Sequence, residues 1–312
     1  MCQHRLRPGR YCPVDLAHYS PSMPRPAHLA LIAVGVLWPL RALAHGGEAP
    51  APWSVEPVAL ALLLMSVTLY AAGLARMGPR QRAAIAPRRR VLAYAGGVAT
   101  IIVALFSPID ELADASFAWH MAQHLLLMLV AAPLMSMGNA HLVALMAFPI
   151  APRRRIGRTV NRTPGVRCGG SSRAAPPLAG LAFAAGLWLW HAPRMYDAAL
   201  ADPTLHTIEH LTFLVTSAVF WRMISTAGDR RLDGLSAVVI VTLIGLQGNL
   251  LAALITLAPL PLYLPYAANG LSDQQVAGLL MWLPAGMLYL ASSLRAILMI
   301  QSERSQMRRP ES

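Results

Sequence analysis

Residues 117–137 read FAWHMAQHLLLMLVAAPLMSM, twenty-one residues without one Asp, Glu, Lys or Arg. Coiled as an α-helix at 1.5 Å per residue, such a segment reaches across the ~30 Å hydrocarbon layer of a bilayer. Its first turns are not apolar, however. His120, Gln123 and His124 stand there, and polar groups within a span face a protein interior because lipid cannot satisfy them. The four-residue spacing of His120 and His124 puts both imidazoles on one helix face, one turn apart.

Six further stretches are long and apolar enough to cross, at about 55–75, 91–107, 177–192, 205–225, 235–258 and 275–300. The composition agrees. The 312 residues are 56% hydrophobic and 13% charged, with mean hydropathy +0.49, against roughly 25% charged in a soluble domain. A shorter run, 139–150, ends at Pro149 and Pro152 and reads as an interfacial or re-entrant piece. The fold class expected is all-α, a polytopic transmembrane helix bundle of seven spans after an N-terminal signal segment.

That signal segment is 23–44, MPRPAHLALIAVGVLWPLRALA, with a basic start, an apolar run and a small-x-small site at Ala42-Leu43-Ala44. An uncleaved first span is the other reading. The organisation expected is therefore an extension and signal peptide over 1–44, a membrane domain over 45–302 and a tail over 303–312. All 26 basic residues are Arg, and twenty fall in alternate loops: 76–90, 153–173, 222–231 and 295–309. The opposite loops hold Arg194 alone, with Glu48, Glu56, Asp110, Glu111, Asp114, Asp197, Asp202 and Asp273. Because Arg is retained on the cytoplasmic side, the alternation places the N-terminus outside and the C-terminus inside. The net charge of +12 then faces anionic lipid, and nucleic-acid binding is discounted. The Arg-rich segment 153–176 reads as a solvated loop. Cys2, Cys12 and Cys168 form no CxxC and no disulfide framework.

With this topology the polar residues within the spans gather in one outer layer. Span three brings His120 and His124; span five brings His206 and His210 at the same spacing, with Glu209 beside them; span four ends at His191. Two imidazole pairs and a fifth ring at one depth point to metal or haem ligation, with Glu209 or Asp110 placed to accept a ring's second N–H. Imidazole with thioether suits copper, and Met121, Met128 and Met281 are candidate soft donors, although Met is also a common core filler. His45, if freed by cleavage, would add an amine and an imidazole for copper. HExxH, GxSxG, Walker and Cys–His elements are absent, so no enzyme is indicated. Gln247 and Asn249 read as amides joining helices, Ser272 with Gln275 as a capping box for span seven, and Asp273 as favouring that helix's positive end or facing the histidines. A b-type haem carrier with axial imidazoles, a metal permease and a pure scaffold are the rival classes.

Taken together, His120-Met121-Ala122-Gln123-His124 running into Leu125–Val130 and Pro133, Trp190-His191-Ala192-Pro193 with Tyr196, His206 with Glu209-His210 and Trp221, and Asp273-Gln274, Gly278 and Met281-Trp282 resemble the multispanning caa3-type cytochrome c oxidase assembly factor family, CtaG. The likeness covers about residues 53–300. It implies a bacterial inner-membrane protein that supports maturation of the oxidase copper centres, with oxidase subunits and a periplasmic copper donor as partners. The ligand set this suggests for copper, as Cu(I), is His120, His124, His206 and His210, with His191 as the first-contact or alternate ligand. Glu209, Asp110, Gln123, Asp273, Gln274, Met281, Tyr196 and Tyr266 would support them. The family usually follows span three with a Gly-x-Pro turn; here Gly138-Asn139-Ala140-His141 stands instead. His141 is expected on the inner side, away from the other histidines.

Overall fold

The computed structural model describes residues 56–162, 175–225 and 234–307; the 23–44 segment, His45 and Cys168 lie outside them. Among the described residues the chain is helical, with no strand. In order come α1 (Pro57–Arg76), α2 (Pro79–Ile85), α3 (Arg88–Leu105), α4 (Pro108–Ala115), α5 (Phe117–Leu125), a π-helical turn (Leu126–Ala131), α6 (Ala132–Met137), α7 (Ala140–Met146) and α8 (Ile150–Arg162). After these follow α9 (Ala175–His191), α10 (Pro193–Ala201), α11 (Pro203–Ser225), α12 (Gly234–Leu257), a 3-10 turn (Leu264–Asn269) and α13 (Gly270–Met307). Proline opens α1, α2, α4, α10 and α11, where its missing N–H has no helical partner to lose. Glu56, Ser107 and Asp202 accept from Ala59, Ile109 and Thr204 N–H groups and so close the starts of α1, α4 and α11.

Helices occupy all seven apolar stretches. Four are by themselves long and apolar enough to cross a membrane: Pro57–Arg76, Phe117–Met137, Leu235–Leu257 and Leu264–Leu298. Arg88–Leu105 and Pro108–Ala115, bent by 46°, make a fifth if they act as one. The other two fall short for identifiable reasons. Helix α9 has only 17 residues, and α11 carries His206, Glu209, His210 and Arg222. On α12, Leu243, Leu246, Leu250, Leu254 and Leu257 are all exposed. An apolar stripe of that size is tolerable against lipid and a liability in water.

Two segments depart from expectation. The Arg-rich stretch is helical through Arg162, because Arg is a good helix former and Pro152 sits near the helix start, where it does no harm. Helix α13 begins at Gly270, at φ 78, so Ser272 lies inside the helix and is no cap. The turn after α6 is made by Asn139 in the left-handed region at φ 54, a conformation Asn tolerates well. Its side chain donates to the Ile85 carbonyl (2.8 Å) and accepts from Arg222 (2.6 Å), which stabilises the turn without the Gly-x-Pro pattern.

Two devices hold helices that carry the histidines, and a third joins α12 to α13. The π turn begins two residues after His124, upstream of Pro133, whose ring would crowd the Leu129 carbonyl in a regular helix. The Met128 carbonyl within this turn accepts from Ser217 Oγ (2.6 Å) and Trp221 Nε1 (3.1 Å), fastening α5–α6 to α11. Farther along, α12 and α13 run together closely because Gly278 has no side chain; a Cβ there would collide with Thr256. The largest buried cluster runs from Tyr196 and Phe213, beside the histidines, to Phe220, Trp221 and Tyr289 farther along the bundle.

Candidate metal centre

Helices α5 and α11 each present a histidine pair at i, i+4, and the structure brings the two pairs face to face. One ligand nitrogen from each of His120, His124, His206 and His210 can be chosen so that all lie within 4.8 Å of one another. Ring centroids are 4.4 Å apart for His120–His124, 4.3 Å for His206–His210, 5.2 Å for His120–His206 and 5.1 Å for His124–His210. His120 and His124 are 0% exposed, His210 is buried and His206 is half-buried. The less buried edge of the group is therefore at His206.

Hydrogen bonds fix the nitrogen roles in part. The Tyr266 hydroxyl donates its one proton to the Ala113 carbonyl (2.6 Å), so toward His120 Nδ1 (3.1 Å) it accepts. His120 thus carries its hydrogen on Nδ1 and turns the Nε2 lone pair inward. His120 Nε2 lies 3.0 Å from His124 Nε2, a contact in which His124 supplies the hydrogen. Among the described residues, His124 Nδ1, His206 Nε2, His210 Nε2 and Glu209 Oε1 are buried without hydrogen-bond partners. Leaving such groups unmade is costly, on the order of 1–3 kcal/mol each. A compact cation that accepts nitrogen lone pairs would relieve several at once, and the donor set fits one.

The expected supporting residues separate into distinct jobs. Glu209, 1% exposed, puts Oε1 at 3.8 Å from His124 Nε2, beside the ring but beyond a hydrogen bond. Asp110 accepts from Gln123 Nε2 (2.7 Å), which also donates to the Ala104 carbonyl (2.9 Å), and this ties α5 to α3 and α4. Asp273 stands in the first turn of α13, at that helix's positive end, and does a second job there instead of facing the histidines. It caps the neighbouring helix, accepting from Ser116 Oγ (2.7 Å) and from the Phe117 and Ala118 N–H groups (2.8 and 3.2 Å) at the start of α5. Gln274 accepts from Leu262 N–H (2.7 Å) and donates to the Ile255 carbonyl (3.1 Å), closing the loop before α13. Tyr196 is buried, its ring 5.2 Å from His120. Met121, Met128 and Met281 are buried members of the apolar cluster. Gln247 accepts from Trp188 (2.6 Å) and joins α12 to α9, as an amide between helices does.

His191 closes α9 beside the group, its ring 6.3 Å from His124. His141 sits on α7, beyond α6. Tyr263 was absent from the candidates and belongs among them, since its hydroxyl donates to the His191 carbonyl (2.9 Å). The available signal was its three-residue spacing from Tyr266 in an outer loop. A family model described as cytochrome c oxidase caa3 assembly factor (Caa3_CtaG) matches residues 68–302. No match was found among the curated proteins or the solved structures.

Proposed function

Because this chain belongs to the cytochrome c oxidase caa3 assembly factor family, we propose that it serves oxidase maturation by holding copper between His120, His124, His206 and His210. The observation that carries the reading is the convergence of four imidazole nitrogens within 4.8 Å. Imidazole suits copper, and the buried Glu209 carboxyl stands beside the group. Copper here is cargo, taken up and passed on, so the protein works as a carrier and catalyses no reaction. A set of imidazoles with no thiolate favours exchange over permanent storage.

The topology that goes with this function has seven spans in a bacterial inner membrane, N-terminus outside and C-terminus in the cytoplasm. Its support is the arginine alternation together with helices over all seven apolar stretches. The histidines then lie just beneath the outer surface, where a periplasmic donor can deliver copper and oxidase subunits can receive it. Direct ring contact between His120 and His124, at 4.4 Å, favours a small ion over a haem macrocycle between them. Purified protein is expected to bind about one Cu(I) per chain and to lack a Soret band. Full copper binding by a His124→Ala, His210→Ala double variant would refute the ligand assignment, and a strong Soret band in the purified protein would favour haem.

A further inference from the structure

Beyond that group of four, and resting on its reading as a copper site, we propose that His191 is a second station through which the ion leaves. Its Nδ1 is committed to the Leu187 carbonyl one turn earlier on its own helix (2.8 Å), so Nδ1 carries the hydrogen and Nε2 keeps its lone pair. That Nε2 is buried with no partner among the described residues, in a side chain only 3% exposed. The residue is also held in place from its backbone side, because Tyr263 donates to its carbonyl (2.9 Å).

Position separates it from the four primary ligands. No nitrogen of His191 belongs to the group lying within 4.8 Å. The rings nevertheless form a file: from half-buried His206 to His210 (4.3 Å), to His124 (5.1 Å), then to His191 (6.3 Å). Its walls at the far end are Phe213 and Tyr196, with ring centroids 5.9 and 6.5 Å from His191. One end of the file is the most accessible imidazole and the other stands on a third helix, α9. Moving an ion along it is ligand exchange. A copper bond to His191 Nε2 forms as a copper bond to the group of four breaks, copper stays Cu(I), and no electron moves.

The test uses the full chain in detergent, loaded with Cu(I), and follows copper per chain and the rate of transfer to bathocuproine disulfonate. His191→Phe keeps the ring volume but removes the ligand; His191→Met restores a soft donor. Both variants should hold as much copper as the parent, with transfer slowed on the order of tenfold in His191→Phe and largely recovered in His191→Met. A purely structural histidine would predict the reverse, since loosened packing hastens release. Unchanged or faster transfer in His191→Phe overturns the proposal, as does loss of the ion, which would make His191 a primary ligand. Failure of the parent protein to bind Cu(I) overturns the underlying copper reading instead.

Discussion

A single hydroxyl proton decides which nitrogen His120 offers. Tyr266 spends that proton on Ala113 and therefore accepts from Nδ1, leaving Nε2 with the free lone pair. Tyr266→Phe removes the acceptor and lets the ring choose the wrong tautomer or turn. Copper affinity should fall about 10–100-fold, as when outer partners of metal-bound histidines are removed, while the helical circular dichroism stays unchanged. Competition with a calibrated Cu(I) chelator measures it. At this scale the sequence spoke unevenly. The i, i+4 spacings of His120–His124 and His206–His210 announced which faces would meet, because helix periodicity is local. The partners of Asp110 and Asp273 were not legible, since both depend on where another helix comes to rest. Asp273 reaches a helix start more than 150 residues away in the chain.

Among the elements, the seven apolar runs were readable from length and hydropathy alone, whereas the π turn was not. Nothing in LLMLVAAP singles out the extra backbone residue except Pro133, and proline tolerates several outcomes. The turn matters because it frees the Met128 carbonyl for α11. Substituting Ser217→Ala together with Trp221→Phe strips both donors and leaves that acceptor buried. The cost should be about 1–3 kcal/mol. A lower thermal midpoint in detergent, with copper content per folded chain preserved, is the expected outcome; an unchanged midpoint would mean the turn is held by other contacts. Likewise the first part of the Arg-rich stretch is helical through Arg162 although its charge suggested a solvated loop, since arginine on a helix satisfies solvation and periodicity together; 163–174 lie outside the described residues.

For the whole molecule, the orientation proposed from the arginine distribution is open to a direct check. In a cysteine-free background, Asp202→Cys should react with an impermeant thiol reagent added to intact cells, and Arg155→Cys should not. Both positions are exposed on the protein surface, so burial does not confound the result. The reverse pattern would put the histidines beneath the cytoplasmic face and remove the periplasmic route. The Asp273 cap has a temporal consequence as well. A chain made from its N-terminus exposes α5 and α11 to the insertion machinery long before the residue that pins the start of α5 has been translated. Ribosomes stalled ahead of α13 would therefore leave the start of α5 without its cap. The contact that fixes where α5 begins is thus completed only when the last helix arrives.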